Sequence, residues 1–478
     1  RVATTMTKRH KIVLYNPRAV FWTMPLGLIA VGSALDPDRF EVKIVDARLE
    51  RDPLHAVLEE AKDAVCLGIG VLTGDPIRDA MDVSRAVKAA RPDLPIVWGG
   101  WHPSLFPQEC LAEPSVDAVV SGQGEETFAE IVERYVAGKD LSFVAGVTWR
   151  DARGKIVQNQ ARPTKDVNLF PRHNYDLVPV EEYFKHKGKR QFDYISSIGC
   201  RFRCAFCADP FVYNRSWYGL SAERMAGELS ELWQRYRFTE IAFQDETFFT
   251  KRERVEEICR AFMAAGLNVA WTGTMRADQG HRLPDETLAR CREAGLRRVM
   301  VGVEAGTDEM LKRIKKDITI AQVFTTAEKL VRHDIGAIWN FIVGFPDEPD
   351  DSFEATLQIA KKLRAMSQDF EAAIFFYKPY PGNEIAERLG AEQYQFPCTL
   401  EGWADFDYVG SAGPWVSKEK YHRVERFKFY QKYAYGRHAH PLARPLQIVA
   451  RWRINRDFYR FPVEQKVVER LHPAPRLS

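Results

Sequence analysis

Short apolar runs alternate with amphipathic stretches along the first 145 residues. Runs rich in Val and Ile are typical of buried strands, whereas apolar residues repeated every three or four positions indicate helices. The predicted strands cover residues 11–15, 41–45, 64–70, 95–98 and 118–120. The predicted helices cover residues 25–35, 54–61, 77–90 and 125–136. Strands that alternate with helices predict an α/β domain with a doubly wound, Rossmann-like parallel sheet over residues 1–145.

The same alternation returns over residues 191–385. The predicted strands lie at residues 194–198, 240–243, 269–274, 298–303, 338–343 and 373–376, with helical segments between them. Six consecutive strand–helix units predict a partial (β/α)6 TIM-like barrel. Functional side chains are expected at the carboxyl ends of its strands.

Two further segments complete the predicted organisation. Residues 146–190 combine a β-hairpin with a linker rich in proline and charge. Residues 386–478 are predicted to be mainly helical, with 13 Lys and Arg against 4 Asp and Glu after residue 420 and aromatic residues between them. This tail fits a lid over a substrate opening, a basic surface on anionic lipid, or a solvated helical face over aromatic packing. Because the basic surplus is confined to the tail, no nucleic acid is expected as a partner.

Composition narrows the class of protein. The chain has 478 residues, 45% of them hydrophobic, and a formal net charge of +3, so full cores and two or three domains are expected. The sequence shows no apolar run of the length that a membrane-spanning helix needs and no signal peptide before the first strand. Eight cysteines in so long a chain do not form a disulfide scaffold.

Three of these cysteines stand within eight residues, as Cys200, Cys204 and Cys207. Three thiolates on one loop can hold three irons of a cubane [4Fe-4S] cluster and leave the fourth iron open to a chelating molecule. A structural zinc site would need four ligands, and a disulfide cannot use three cysteines. The other cysteines are scattered, and core packing explains them: Cys66, Cys110, Cys259, Cys291 and Cys398.

The spacing C-x3-C-x2-C, with the aromatic Phe206 before the last cysteine, resembles the radical S-adenosylmethionine (SAM) superfamily. The resemblance implies that the open iron chelates the amino and carboxylate groups of SAM. An electron from the cluster then breaks the S–C5′ bond, which yields methionine and a 5′-deoxyadenosyl radical. It also implies that Phe206 packs near the adenine of SAM.

Charged residues follow two of the predicted barrel strands. Asp245 and Glu246 come after the second strand, where a carboxylate could take the ammonium group of SAM. Arg276 comes after the third strand and could pair with a carboxylate through two hydrogen bonds. A structural ion pair is the alternative for each of them.

Two later loops carry the resemblance further. Residues 302–306 resemble the G-x-E-S-G loop of the family, which implies that Glu304 contacts the ribose or amino group of SAM. Residues 344–348 match its G-x-P-x-E loop on the adenine side, which implies that Gly344 and Pro346 bind SAM.

Two loops of the first domain, at residues 97–103 and 116–126, resemble the cobalamin-binding domain that precedes many radical SAM regions. The resemblance implies cobalamin as a cofactor, held by loops with Thr73 and Gly74 as neighbours and with these residues in them: Gly99, Gly100, His102, Gly122 and Gly124. The D-x-H-x-x-G motif that supplies an axial histidine in other cobalamin proteins is absent. The alternative is a domain that has kept its shape and lost the ligand.

Together these resemblances imply an oxygen-sensitive, cobalamin-dependent radical SAM enzyme in the cytoplasm. It would abstract a hydrogen atom from an unactivated carbon and transfer a methyl group from methylcobalamin. One alternative is cyclisation, oxidation or carbon–carbon coupling of a porphyrin-like or lipid substrate; another is a non-catalytic cobalamin or Fe–S carrier or sensor. The expected partners are a small-molecule or lipid-like substrate, an electron donor such as flavodoxin or ferredoxin, and a membrane surface at the tail. No catalytic side chain acting on the substrate is singled out.

Overall fold

The computed structural model describes residues 9–392, 394–406, 412–436 and 443–471. These residues form two compact units. Unit 1 comprises the described residues of Arg1–Arg201, Cys207–Glu246 and Tyr380–Val409. Unit 2 comprises those of Phe202–Phe206, Thr247–Pro379 and Gly410–Ser478. Parts of the predicted C-terminal tail, at residues 393, 407–411, 437–442 and 472–478, lie outside the described residues.

A seven-stranded sheet forms the N-terminal part of unit 1. Its strands are β1 (His10–Asn16), β2 (Phe40–Asp46), β3 (Ala64–Gly70), β4 (Ile96–Gly99), β5 (Ala118–Val120), β6 (Val147–Arg150) and β7 (Ile156–Gln158). Its helices are α1 (Leu26–Ser33), α2 (Pro53–Ala61), α3 (Pro76–Ala90), α4 (Trp101–Leu105), α5 (Pro107–Ala112) and α6 (Glu125–Val136). The order is β2-β1-β3-β4-β5-β6-β7, with β1–β5 parallel and the β6–β7 hairpin antiparallel. The predicted Rossmann-like sheet and hairpin are confirmed.

The strand order reverses between β1 and β3, because β2 lies on the outer side of β1 and the remaining strands lie on the other side. Strand interiors such as Val13 and Trp98 are fully buried, as expected for a sheet covered on both faces. In such sheets a crevice opens at the carboxyl ends of the strands, at the point of reversal.

The remainder of unit 1 before residue 247 is built from α7 (Val180–Lys187), β8 (Gln191–Tyr194), β9 (Ser197–Gly199), α8 (Asp209–Val212), β10 (Trp217–Gly219), α9 (Ala222–Tyr236) and β11 (Glu240–Phe243). Two short 3-10 helices, Val167–Leu169 and Tyr175–Leu177, precede α7. Strands β8 and β11 pair in parallel, whereas β9 and β10 pair antiparallel.

The predicted single strand at residues 194–198 is therefore wrong. It breaks after Tyr194, and β9 turns to pair with β10. Ser196, at the break, donates its backbone N–H to the Asp245 carboxylate, over 2.7 Å. A buried side-chain acceptor thus replaces a strand partner at this position.

Unit 2 contains a 3-10 turn (Phe248–Thr250) and the elements α10 (Arg252–Ala264), β12 (Ala270–Arg276), α11 (Ala277–Arg282), α12 (Asp285–Glu293), β13 (Leu296–Glu304), α13 (Asp308–Arg313), α14 (Ile320–Arg332), β14 (Gly336–Val343), α15 (Asp350–Met366) and β15 (Phe370–Phe376). Strands β12 to β15 pair in parallel in chain order. All predicted strands of this region are present, but β12 runs on to Arg276 and β13 to Glu304. Both residues therefore end strands.

The C-terminal region is helical, as predicted. Helices α16 (Glu384–Ala391) and α17 (Leu400–Ala404) belong to unit 1, and α18 (Lys418–Ala434), α19 (Ala443–Asn455) and α20 (Val463–Leu471) to unit 2. Phe427, Tyr430 and Tyr459 are buried, so aromatic packing explains part of the tail composition. Within the described ranges, no helix combines the length and apolar character that crossing a membrane requires.

Candidate active site

The three clustered cysteines lie on the irregular loop between β9 and α8. None of them forms a disulfide, and all three are half-buried. The loop begins after Gly199, whose φ is +86° and where a Cβ would lie 2.3 Å from the Ser216 carbonyl oxygen. Only glycine fits this entry to the loop without a backbone shift.

The middle of this loop, Phe202–Phe206, is anchored in unit 2. The Ala205 N–H donates to the Ile314 carbonyl over 2.9 Å, and the Arg203 guanidinium pairs with Asp317 at 2.8 Å. A backbone bond and an ion pair therefore hold both sides of Cys204.

The donor set fits an iron–sulfur cluster. The three cysteines are partly exposed and form no disulfide. The Arg276 guanidinium places an N–H donor 3.4 Å from the Cys204 sulfur. A cationic donor at this distance stabilises a thiolate. In the described part of the chain, no three His, Cys, Asp or Glu side chains converge on one metal-ion position. Cluster thiolates need not do so, since each binds a different iron.

The guanidinium nitrogens of Arg276 all have partners within the protein, so none is left to bind a ligand carboxylate. Its Nε donates to Asp278 Oδ1 over 3.0 Å, and Nη2 donates to the Lys316 carbonyl oxygen. With Nη1 directed at Cys204, all three nitrogens of the buried guanidinium have protein partners. Arg276 therefore faces a cysteine sulfur. The sequence had suggested that it would bind a ligand carboxylate.

Glu304 ends β13 with a φ of +74°, in the left-handed region that non-glycine residues seldom adopt. Its carboxylate accepts a hydrogen bond from Lys316 Nζ at 2.7 Å, and both side chains are buried. The strained backbone thus presents a carboxylate whose charge Lys316 balances. Such strain is often found at binding sites.

Aromatic rings surround the loop after β14. The Phe345 ring stacks on Tyr377 at 4.9 Å and meets Phe206 edge-on at 6.1 Å. Gly344, with a φ of +72°, accepts from Trp415 Nε1 through its carbonyl and donates its N–H to Glu348. Burial raises the pKa of Glu348 to about 7.

Pro346, in the same loop, is buried. The predicted residues Phe206, Gly344 and Pro346 therefore belong to one apolar region of unit 2. Such a surface can take an aromatic base.

Asp245 and Glu246 are neighbours in sequence with different surroundings. Asp245 is buried and accepts hydrogen bonds from Ser196 N–H, Ser196 Oγ and Ser197 Oγ at 2.6–2.7 Å. Its carboxylate stabilises the backbone break before β9 and is not available to bind an ammonium group.

Glu246 lines a cavity in unit 1, and among the described residues its buried Oε2 has no hydrogen-bond partner. Burial, followed by the nearby charge of Asp209, raises its pKa to about 8. Tyr213 lines the same cavity, and burial raises its pKa, with Glu246 adding to the effect. A buried carboxyl oxygen without a hydrogen-bond partner is unfavourable, and a cationic ligand that binds beside it would remove that cost.

The cavity has a volume of about 550 Å³ and opens at the carboxyl ends of β1, β3 and β4, where the strand order reverses. Four of the predicted loop residues line it: Gly99, Gly100, Gly122 and Gly124. At Gly122, with a φ of +78°, a Cβ would meet no protein atom within 4 Å. Backbone is thus exposed to a ligand at this point, and the cavity fits the resemblance.

Ser104, which the sequence did not single out, ties the two glycine loops together. Its hydroxyl donates to the Gly100 carbonyl over 2.7 Å and accepts from the Gly122 N–H over 3.0 Å. A serine four residues after a glycine pair carries no signal by itself, since its second partner lies 18 residues away.

The predicted residues Thr73, Gly74 and His102 do not line the cavity. His102 is fully buried, with Nδ1 3.2 Å from Thr73 Oγ1 and its ring against Trp403. Burial lowers its pKa to about 4, so the imidazole is neutral near pH 7. His102 packs against Trp403 and does not line the cavity, and its assignment to the cobalamin loops stays a prediction.

The loop after β1, which lacks the axial-histidine motif, forms one wall of the cavity through Phe21, Thr23 and Met24. Arg48 holds this loop by donating to the carbonyl oxygens of Phe21 and Thr23. Its charge is balanced by Asp46 at 2.6 Å. This part of the cavity wall therefore contains Phe21, Thr23 and Met24 and no histidine from the loop after β1.

His173, from the linker, also lines the cavity, although the sequence did not indicate it. Burial lowers its pKa to about 4. The sequence could not indicate that His173 lines the cavity, because the linker has no periodic pattern from which the direction of its side chains could be predicted.

A profile of the radical SAM superfamily matches residues 194–360, and a profile of the B12 binding domain matches residues 18–132. The chain is similar to the uncharacterized methyltransferase PH0819 of Pyrococcus horikoshii, with 32% identity over 76% of this chain and 78% of that protein.

Two further proteins are similar to this chain, one in sequence and the other in fold. The cytidylyl-2-hydroxyethylphosphonate methyltransferase of Streptomyces wedmorensis is 26% identical over 85% of either chain. The structure of the cobalamin-dependent SAM radical enzyme OxsB, with aqua-cobalamin and SAM bound, has a TM-score of 0.74, 18% identity and covers 98% of this chain and 74% of its own. At that identity the likeness to OxsB shows the shared fold.

Proposed function

Because this chain belongs to the radical SAM superfamily and carries a B12-binding domain ahead of the radical SAM region, we propose that it methylates an unactivated carbon of a small molecule. It is a radical SAM enzyme, and the two relatives described above, which match most of its length, are methyltransferases. One observation carries the proposal. Glu246, from the radical SAM region, lines the same cavity as the glycine loops of the B12-binding domain.

When bound, the [4Fe-4S] cluster supplies the electron that cleaves SAM into methionine and a deoxyadenosyl radical, and cobalamin supplies the methyl group that is transferred. Cys200, Cys204 and Cys207 are the proposed cluster ligands. Glu246, whose Oε2 has no partner among the described residues, is proposed to bind the SAM ammonium group, whereas the Asp245 carboxylate is already bonded within the fold.

In unit 2, the aromatic region around Phe206 and Gly344 is assigned to the adenine of SAM, and Glu304 to its ribose or amino group. The Phe345–Tyr377 stack supports the first assignment because it forms an apolar wall. The buried Lys316–Glu304 pair supports the second, because it holds the Glu304 carboxylate in one orientation.

In unit 1, the loops with Gly99, Gly100, Gly122 and Gly124 are assigned to cobalamin. Exposed backbone at Gly122 supports close approach of the ligand. The loop after β1, which lines the cavity through Phe21, Thr23 and Met24, would offer cobalamin no imidazole. The substrate is proposed to be a small molecule, and the electron donor a flavodoxin or ferredoxin.

The test is anaerobic reconstitution with iron, sulfide and hydroxocobalamin, followed by reduction in the presence of SAM that carries a labelled methyl group. We expect bound cobalamin, release of deoxyadenosine, and label in a carbon-bound methyl group of the product when the chain is supplied with candidate substrates. Deoxyadenosine with an oxidised, cyclised or coupled but unlabelled product would replace methylation by the alternative chemistry. Cofactor binding without any deoxyadenosine would indicate a carrier or sensor.

We further propose that the C-terminal helices contact an anionic lipid surface. On α19, Ile448 and Trp452 are 69% and 47% exposed and lie one helical turn apart, on the same face. Exposed cations lie on α19 or follow it in the chain: Arg444, Arg451, Arg456, Arg460 and Lys466. Apolar side chains flanked by cations are typical of helices that lie in a membrane interface.

Co-sedimentation with phosphatidylglycerol vesicles tests this contact, with phosphatidylcholine vesicles as the uncharged comparison. We expect binding to the anionic vesicles that weakens with salt and is lost in an Ile448→Asp/Trp452→Asp variant. The control is Val331→Asp/Met263→Asp, which places the same two negative charges at exposed apolar positions of α14 and α10. Equal binding of the Ile448→Asp/Trp452→Asp variant and the control would refute the contact.

A further inference from the structure

We propose that Arg276 is a positioning residue for the iron–sulfur cluster: it donates an N–H···S hydrogen bond to the Cys204 sulfur and thereby raises the reduction potential of the cluster. This inference rests on the proposed function only in that Cys204 is taken as a cluster ligand.

The contact is built from both sides within unit 2. Arg276 is the last residue of β12, and its Nη1 lies 3.4 Å from the Cys204 sulfur. The guanidinium carbon lies 3.7 Å from the centre of the Phe202 ring. The arginine therefore stacks on one residue of the cysteine loop and donates to another, which fixes both the ring and the sulfur.

The guanidinium is held firmly. Asp278 accepts from Nε at 3.0 Å, and the Lys316 carbonyl accepts from Nη2. The Gln279 side chain accepts from the Arg276 backbone N–H over 2.9 Å. Only Nη1 remains to reach the sulfur, so its direction is set by the other bonds and does not depend on the cluster.

The positive charge of Arg276 is only partly neutralised. Its carboxylate partner Asp278 is shared with Arg282, which pairs with the other oxygen at 2.8 Å. The neighbouring cation Lys316 is balanced by Glu304 and the cation Arg203 by Asp317. Arg282 is 64% exposed, so solvent screens its charge, whereas the buried Arg276 keeps an incompletely neutralised positive charge beside Cys204.

This positive charge favours the reduced cluster. Reduction adds one negative charge to the cluster and its thiolates, and a buried cationic donor stabilises that charge more than it stabilises the oxidised state. Hydrogen bonds to ligand sulfurs and local charge are among the main determinants of cluster potentials. A higher potential makes the cluster easier to reduce by a cellular electron donor.

The test compares Arg276→Met and Arg276→Lys with the matched control Arg282→Met, which removes a guanidinium from the same carboxylate, Asp278, at a 64% exposed position. Each full-length chain is reconstituted anaerobically, its iron and sulfide are counted, and its midpoint potential is measured by a redox titration followed by electron paramagnetic resonance.

In Arg276→Met we expect the ratio of reduced to oxidised cluster at a fixed ambient potential to fall at least tenfold, which corresponds to about 59 mV for a one-electron couple. Arg276→Lys keeps the charge but loses the directed bond, and is expected to fall between Arg276→Met and the wild type. The control is expected to stay within twofold of the wild type.

A wild-type potential in Arg276→Met with a full cluster would overturn the inference, as would an equal shift in Arg282→Met. If Arg276→Met does not retain the cluster, Arg276→Lys decides: a lowered potential supports the inference, and a wild-type potential overturns it. These outcomes are distinct from failure of the proposed function, in which the wild-type chain itself would bind no cluster through its three cysteines.

Discussion

At the scale of single residues, two adjacent acids divide two tasks. Asp245 is bonded to Ser196 and Ser197 and stabilises the fold, whereas the Oε2 of Glu246 has no partner among the described residues and faces the cavity. The difference follows from direction. Both acids follow the end of β11 on an irregular turn, where one side chain enters the interior and the other lines the cavity.

Replacing Glu246 by Gln is predicted to change how stability depends on pH in the cofactor-free protein. The folded-state pKa of Glu246 is about 8, against a model-compound value of 4.5. Between these values the folded chain binds more protons than the unfolded chain, so the free energy of unfolding falls as pH rises and levels off above about pH 8. Glu246→Gln removes this loss, which we place at about 1–3 kcal/mol.

The measurement is the melting temperature of wild type and Glu246→Gln from about pH 5 to about pH 9. The advantage of the variant should grow across this window. Asp245→Asn is the control, since it disrupts the bonds to Ser196 and Ser197 and should be destabilised throughout. Parallel wild-type and Glu246→Gln curves would show that Glu246 is ionised in the folded protein across the whole range.

At the scale of elements, the site is built where strands end. The loops after β4 and β5 are joined through Ser104 and leave Gly122 facing the cavity. The loop after β1 is held by Arg48 as the opposite wall. Such loops can vary in sequence because the sheet fixes their ends.

Replacing Gly122 by Leu is predicted to weaken cobalamin binding at least tenfold, equivalent to about 1.4 kcal/mol. The new side chain has no protein atom in its way, but it enters the space where ligand is expected. The matched control is Gly138→Leu: Gly138 has a similar φ of +65°, equally open surroundings and no place in the cavity wall.

Both substitutions carry the strain of a left-handed backbone, about 1–2 kcal/mol, so a loss of stability should be common to them. Titration with hydroxocobalamin, followed by its visible spectrum, separates the two. Equal affinity of the two variants would remove this loop from the cobalamin site.

At the scale of the whole molecule, the two compact units are each assembled from several stretches of chain. The cavity assigned to cobalamin is lined entirely by residues of unit 1. The cysteine loop contributes residues to both units, with Cys204 in unit 2. Binding of cobalamin should therefore not require the cluster.

A chain with Cys200, Cys204 and Cys207 all replaced by Ala is predicted to lose its iron and keep its response to hydroxocobalamin. A ligand present at 100 times its dissociation constant stabilises the folded chain by about 2.7 kcal/mol. Thermal unfolding with and without hydroxocobalamin measures this gain. Loss of the gain together with the iron, in a variant that still folds, would show that cobalamin binding depends on the cluster loop.

Local patterns in the sequence were enough to predict the fold class, most strands and helices, the cysteine loop and the glycine loops. These features rest on local signals: an apolar run, a helical period or a ligand spacing within eight residues. The prediction of a single strand at residues 194–198 was wrong because the strand breaks at Ser196, which bonds to Asp245, 49 residues away.

The partner of each polar side chain, by contrast, depends on contacts between residues that are far apart in the sequence. Arg276 meets Cys204 from 72 residues away, and His102 is buried against Trp403 near the other end of the chain. A side chain's partner depends on which elements the fold brings beside it and on which competing groups are already bonded. Neither condition is written in the local pattern, so charge and spacing identified the candidate residues, whereas packing selected among them.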